Sequence, residues 1–311
     1  MFTVVSFSPL LLAKEWRVSD KTSFSEAFKK VARFDTIYIE KGEYPFSAIL
    51  RTQNVTIMAE PGAVMAGDAA QGKAALVIKG DGTRIINLEC HSITVRDGNG
   101  ACIRLEAPSL YLENVYFHDS QQGILASRNA ELIEINKSKF ERLGYGGRAH
   151  GIYFTGKGKL YIKNSIFISS QGEGHEIKSR GGLTVIENSV IASLDGVDSR
   201  LIDISNGGEL IIRNSILQQG PASSNTDVIG FALEGKKYLH EINRVILEGN
   251  MILLDRQQNR ILHKLNADME VIARNNSIIG KSLDELPGFN LILDSRENAG
   301  MLPYPFMPTL P

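Results

Sequence analysis

The chain has 311 residues, 34 of them basic and 35 acidic, for a formal charge of -1, and 43% of its residues are hydrophobic. So even a balance excludes a global field for nucleic acid or for an anionic membrane surface, and any charged ligand has to be met by a local patch. Beyond residue 13 no apolar run reaches the ~18 residues of a membrane span.

Residues 1–13, Met-Phe-Thr-Val-Val-Ser-Phe-Ser-Pro-Leu-Leu-Leu-Ala, are apolar and uncharged and run into Lys-Glu-Trp-Arg. They read as a secretory signal segment that has lost its basic start, which implies a periplasmic or extracellular location; an N-terminal strand is the alternative. An N-terminal cap follows over 14–48. Within it, Thr22 to Arg33 carries apolar residues at 24, 27, 28, 31 and 32 behind Ser and Thr, the pattern of a short capped amphipathic helix. A strand and turn are expected over 35–44.

From about 49 to 285 the chain repeats. An apolar-x-x-Asn-x-apolar phrase recurs at Asn87, Asn114, Asn164, Asn188, Asn214, Asn250 and Asn276, with Lys137 replacing Asn once, at spacings of 27, 23, 27, 24, 26, 36 and 26. Such periods belong to a structural repeat. Each repeat alternates apolar and polar residues in short runs cut by Gly, Asn, Asp and Ser, which makes strands and turns and leaves no room for a helix. The economical fold is all-β: a single-stranded right-handed parallel β-helix with a short helical cap, one domain and a monomer. The Asn rung is expected at an inward or turn position where amides bond to one another. Aligned on that rung, Cys90 takes the inward place of Phe117, so a buried thiol is expected rather than a disulfide. The long spacing after Asn214 holds extra residues at 218–227 and 234–240, expected to project as loops walling a groove. The tail, 286–311, is rich in proline after Gly300 and is expected to cap the last coil.

Three successive coils break the apolar pattern together. Aligning Ile152, Ile177 and Ile202 stacks His150, His175 and Arg200 in one column, Tyr153, Lys178 and Asp203 in a second, and Thr155, Arg180 and Ser205 in a third. With the isoleucines inward, the second and third columns face outward, and Glu176 is placed with them. Lyases of uronic-acid glycans must neutralise a carboxylate, abstract the adjacent proton and protonate the leaving oxygen. Lys or Arg can serve as base where neighbouring cations and burial disfavour the charged form, and Tyr or His as acid. The plain structural alternative is a ladder of exposed ion pairs, Lys178 with Asp203 and Arg180 with Glu176, each contributing only tenths of a kcal/mol. Metal binding by His150 and His175 is set aside, since no further Cys or His is found at ligand spacing. Asn225-Thr-Asp227 and Gly174-His175 resemble fragments of pectin hydrolases, but in the wrong order and without the Asp-Asp pair, so hydrolysis is disfavoured.

Asp97-Gly-Asn-Gly-Ala, His150-Gly-Ile-Tyr, Gly174-His-Glu-Ile-Lys-Ser-Arg180, Ile202-Asp-Ile-Ser-Asn-Gly-Gly208, Gln219-Gly-Pro221 and Glu234-Gly235 together resemble exported bacterial parallel β-helix repeat proteins of the pectin-lyase-like superfamily. A looser similarity is to the chondroitinase B and alginate lyase family, through Lys178-Ser179 followed one coil later by Arg200. It implies Lys178 as base and Arg200 as acid, with Arg180 beside them; the family's Ca2+ ligands have only Glu176 and Asp203 as counterparts nearby, so no cofactor is evident. The resulting expectation is an exported carbohydrate-active protein that binds an acidic polysaccharide through Tyr153, His150, His175, Glu176, Asp203 and Asn225, as a lyase acting by β-elimination or as a non-catalytic binding solenoid.

Overall fold

The computed structural model describes residues 13–266 and 268–310; most of the proposed signal segment therefore lies outside the described residues. Its strands are assembled into three all-parallel sheets of eleven, nine and eleven strands, successive coils contributing one strand to each. This is a right-handed parallel β-helix. The first sheet runs from Glu15–Val18 to Glu270–Arg274, the second from Ala48–Leu50 to Arg260–Lys264, and the third from Gly42–Tyr44 to Leu291–Leu293. Among the described residues no helix is long and apolar enough to cross a membrane.

The coil stacks because its inward rows are apolar and in register. Ile124, Ile152, Ile177, Ile202 and Ile229 face one another along the second sheet. In the third sheet Phe117, Phe140 and Phe167 are buried, and the last two are parallel at a ring separation of 4.3 Å. Burying such side chains contributes roughly 1.5–3 kcal/mol each. The helix covering the N-terminal end spans Lys21–Lys30, with Asp20 as N-cap in a reciprocal capping box with Ser23, so it starts one residue before and ends three residues before the span read from periodicity. Phe24 and Ala27 bury its apolar side, closing the solenoid against edge pairing.

The asparagine rung is a turn position. Asn87, Asn114, Asn164, Asn188 and Asn214 adopt φ of 48 to 62°, in the left-handed region that Asn tolerates best after Gly, and Lys137 takes φ 49° in its place. Asn114 donates to Asn87 at 2.9 Å, while Asn164 reaches Asn136 at 2.8 Å. After Asn214 the phrase slips by one: Arg213 pairs with Glu248 and Glu248 with Arg274, so Gly249 and Asn275 hold the left-handed turn, while Asn250 and Asn276 move to the next position and are buried. That next position is a ladder of its own. Ser138, Ser165, Ser189 and Ser215 point inward there, and each hydroxyl accepts the backbone N–H one coil below at 3.1 Å. Asn250, Asn276 and Asn290 continue the same service with their amide oxygens at 3.0 to 3.2 Å.

Two expectations are corrected. Cys90 and Cys102 form a disulfide, with Cα atoms 5.8 Å apart. Column alignment within one sheet missed it because the partners belong to different sheets, Glu89–His91 in the third and Ala101–Leu105 in the second, and meet across the interior. The C-terminal tail does more than close the last coil: Met301, Met307 and Leu310 lie against an outer apolar patch of the third sheet formed by Ile216, Leu253 and Ile279. Arg296 fixes the start of this strap by forking onto Asp255 at 2.5 and 2.7 Å.

Candidate functional site

On the outer face of the second sheet the aligned column reads Leu125, Tyr153, Lys178, Asp203, Gly230 and His263. Each sits between two inward residues, as Tyr153 does between Ile152 and Phe154, so the pleat itself points the column outward. The corner before the Tyr153 strand packs so closely that Gly151 is obligatory: a Cβ there would stand 2.4 Å from the Glu176 carbonyl oxygen.

Asp203 is the hub. Its Oδ2 lies 3.2 Å from His175 Nε2, 3.3 Å from Lys178 Nζ and 4.0 Å from Arg200 Nη1, and its Oδ1 accepts from Ser205 Oγ at 3.1 Å. Burial alone would raise this carboxyl, but the hydrogen bond and charge of His175, with Lys178 and Arg200, hold it well below the usual carboxylate range. His175 Nδ1 lies 3.2 Å from the backbone nitrogen of Arg200 and 3.3 Å from its carbonyl oxygen, and Nε2 faces Asp203. His150 is stacked on His175 at 4.8 Å, and its Nδ1 accepts the His175 backbone N–H at 3.0 Å. Burial, then the neighbouring His175 and Lys178, push His150 well below the ordinary histidine range, so it is a neutral ring with its proton on Nε2.

Further carboxylates, Glu234 and Asp227, meet the two arginines. Arg180 reaches Glu234 at 2.6 Å and donates through Nε to the Tyr153 hydroxyl at 3.0 Å; the Tyr153 proton has no acceptor among the described residues. Arg200 lies 3.3 Å from Asp227 Oδ2, which His263 Nδ1 also meets at 2.8 Å. Gly230 makes room for this: a Cβ there would stand 3.0 Å from Arg200 Cδ. Lys178 and Arg180 flank the Tyr153 ring at 5.5 and 5.7 Å. Along the same face, before Tyr153, a depression of about 270 Å³ is bordered by Lys73, Asp97, Asn99 and Arg104. A larger depression, about 880 Å³, lies elsewhere, between Asn164, Asn188, Asn214 and the tail, and no titratable side chain lines it.

The fold thus brings together Tyr153, Lys178, Arg180, Arg200, Asp203 and the two stacked histidines. Glu176 is a correction. It is buried in the corner, where its carboxylate accepts from the Ser170 backbone and hydroxyl at 2.7 and 2.8 Å, because the strand begins only at Ile177 and alternation does not reach back to 176. Arg180 consequently pairs with Glu234 instead. The Lys178–Asp203 pair is no exposed ladder pair either, the side chains being 14% and 8% exposed. Asn225 serves the turn before Asp227, its Oδ1 accepting the Asp227 N–H at 3.1 Å. The segment around it is tied to the coil below while Pro221, Ala222 and Ser224 stay exposed: Ser223 is buried, and Ser224 donates to the Asp198 carbonyl through both N and Oγ. The second insertion does stand beside the site, supplying Glu234 and setting His240 against the Arg180 carbonyl at 2.9 Å. Asp227 and Glu234 entered the sequence reading only within short resemblances and His263 not at all, because the aligned columns stop at the third coil; carrying them one pairing further, from Ile202 to Ile229, places Asp227 and Gly230 directly.

No family model matches the chain, and no curated protein matches its sequence. Solved structures do resemble it. An alginate lyase from Paenibacillus sp. str. FPU-7 superposes with a TM-score of 0.59 at 16% identity, over 90% of this chain and 98% of that one. Pectate lyase Pel9A gives 0.57 at 14% identity, over 92% and 79%. Tailspike protein gp49 of Acinetobacter baumannii bacteriophage Fri1, a capsular polysaccharide depolymerase, gives 0.51 at 12% identity, over 92% and 56%. At such identities the likeness is one of fold.

Proposed function

We propose that this chain is an exported protein that binds an acidic polysaccharide along the outer face of its second sheet. The observation that carries this reading is the array of Lys178, Arg180 and Arg200 around the Tyr153 ring. Cations pair with the carboxylates of a uronic-acid chain and an aromatic ring can cover an apolar sugar face, and here both stand on one sheet in line with the depression between Lys73 and Arg104. The solved proteins of like fold that act on alginate, pectate and capsular polysaccharide support a glycan as the ligand. The Cys90–Cys102 disulfide supports an oxidising compartment.

If the site is catalytic, β-elimination is the reaction it suits. Arg180 and Arg200 would neutralise the substrate carboxylate. Lys178 would take the adjacent proton after passing its own to solvent, and the Tyr153 hydroxyl, whose proton is uncommitted, would protonate the leaving oxygen. Hydrolysis is less suited, because the carboxyls that burial raises, Glu176 and Asp198, lie inside the coil. A Ca2+ ion on this face would have to compete with Lys178, Arg180 and Arg200 for the Asp203, Glu234 and Asp227 oxygens.

The test is calorimetric titration with alginate, pectate, hyaluronan and chondroitin at low and high salt, alongside ultraviolet absorbance of unsaturated products. Lys178→Ala should weaken binding roughly tenfold, about 1.4 kcal/mol, with a reduced salt dependence. Lys178→Arg should keep the binding and, in a lyase, abolish product. Unaltered affinity in Lys178→Ala and Arg180→Ala for a glycan that the parent protein binds would remove this face from the function.

A further inference from the structure

The third sheet carries a second cluster, on a different face from the Lys178 column. Alternation about two inward residues, Cys90 and Phe117, sends Glu89 and His91 outward on one strand and Tyr116 and His118 outward on the next. His91 pairs with His118 across the coil spacing, their rings 4.9 Å apart, and one donor atom from each of Glu89, His91 and His118 falls within a 4.8 Å set. From the sequence alone a metal is weighed only at His150 and His175, and this pair is not considered. The pair is 27 residues apart, one coil, and the residue between Glu89 and His91 is pinned from inside by the disulfide.

His118 is the telling residue. Its Nδ1 lies 2.6 Å from Asp119 Oδ2 and its Nε2 lies 3.2 Å from Glu89 Oε1, so each ring nitrogen faces a carboxylate. A neutral imidazole has only one N–H, which leaves a nitrogen lone pair opposed to a carboxylate lone pair. Such a contact is favourable only when a cation joins the cluster, either a second ring proton or a metal ion between Nε2, Glu89 and His91. The surroundings are those of a supported ligand. Arg142 forks onto Asp119 at 2.7 Å through both Nε and Nη2 and compensates its charge. Asp119 is therefore an anion that keeps the His118 proton on Nδ1 and its Nε2 free to ligate. Tyr116 stacks on the His118 ring at 4.1 Å and is itself held by Glu141, which Lys139 meets at 2.7 Å.

We propose that Glu89, His91 and His118 form a binding site for a divalent transition-metal ion of the zinc class, with Asp119 as the positioning residue of His118. Two imidazoles and one carboxylate are the donor set such ions prefer, whereas Ca2+ takes oxygens. Tetrahedral bonds of about 2.0–2.2 Å need donor atoms roughly 3.4 Å apart, so side-chain rotations of about an ångström close the site. All three ligands are partly exposed, which leaves the fourth position to water or to a donor atom of a ligand.

The experiment is titration of the intact disulfide-bonded chain with Zn2+ by calorimetry, and with Co2+ by visible absorption, whose intensity reports four-coordination. One saturable equivalent is expected, lost in His118→Asn and in Glu89→Gln and weakened about 10- to 100-fold in Asp119→Asn. Far-ultraviolet circular dichroism of each variant separates loss of a ligand from loss of fold. Undiminished binding in folded His118→Asn, or no saturable binding by the parent chain, would overturn the site and assign the cation in the cluster to a second proton on His118. Neither result bears on glycan binding at Lys178.

Discussion

Asp203 and Asp198 are carboxyls in the same stretch of chain whose environments drive them in opposite directions. Asp203 is ionised against burial by His175, Lys178 and Arg200. Its folded value lies below the unfolded one, so it adds stability above about pH 4 that is lost as the pH falls through the folded value. Asp198 is buried with one oxygen on Ser193 Oγ at 2.8 Å and the other without a partner, and burial raises it to about 6, against the opposing Ser193 hydroxyl. There the folded protein binds the proton more tightly than the unfolded chain, so stability rises as the pH falls from 6 to 4, by about 3 kcal/mol for the two units. Glu176, raised by burial and then by Asp198, acts in the same sense. Thermal melts should therefore show higher stability near pH 5 than at pH 7.5, and Asp198→Asn should flatten that slope. A slope in Asp198→Asn as steep as the parent's would mean that Asp198 is ionised in place.

At the scale of the coil, the repeated Asn-Ser dipeptide does two separate things. The first residue supplies the left-handed turn; the second turns a hydroxyl inward to satisfy a backbone N–H of the neighbouring coil, which has no other route to a partner in an apolar interior. Ser189 accepts from the Ser165 N–H at 3.1 Å and donates to the Glu187 carbonyl at 2.8 Å. Ser189→Ala removes almost no volume and orphans a buried donor, so it should cost about 1–3 kcal/mol by urea denaturation at unchanged m-value. A change below a few tenths would mean that the ladder is geometric only. The same economy explains the slip after Asn214: Gly249 tolerates the turn even better than Asn, which frees Asn250 for the inward rung, with its amide nitrogen at 2.9 Å from the Ile212 carbonyl.

Over the whole molecule, stability is built from contacts between neighbouring coils, and one apolar core runs from Val18 to Ile278. Such a stack is weakest at its ends and wherever one coil is pried open. The helix shields the first coil, and the strap of residues 296–310 covers the outer patch on the third sheet. The disulfide ties two walls of an early coil across a separation of 12 residues. Closing a loop of that size is worth about 3 kcal/mol. Paired replacement Cys90→Ala/Cys102→Ala should lower the melting temperature measurably without altering the β-sheet circular dichroism; an unchanged melting temperature would show that stacking alone holds that coil.

The amino-acid sequence by itself determined the period, the parallel stacking and the outward column at Tyr153, Lys178 and Asp203. All three follow from rules local to a strand: alternation of faces, and turns at residues that accept left-handed φ. It also located the helix to within a few residues, through the spacing of Phe24, Ala27 and Phe28. What only the tertiary structure decided are relations between sheets and at corners, where alternation has no authority. Glu176 turned inward because the strand starts after it, Cys90 met Cys102 across the interior, and Glu234 reached Arg180 over 54 residues. Glu89, His91 and His118 needed the pairing of two particular coils to become neighbours. A one-dimensional repeat prints its rows in the sequence; how the three walls fold round one another depends on turn lengths that vary from coil to coil, and the residues that meet there are fixed only when the coil closes.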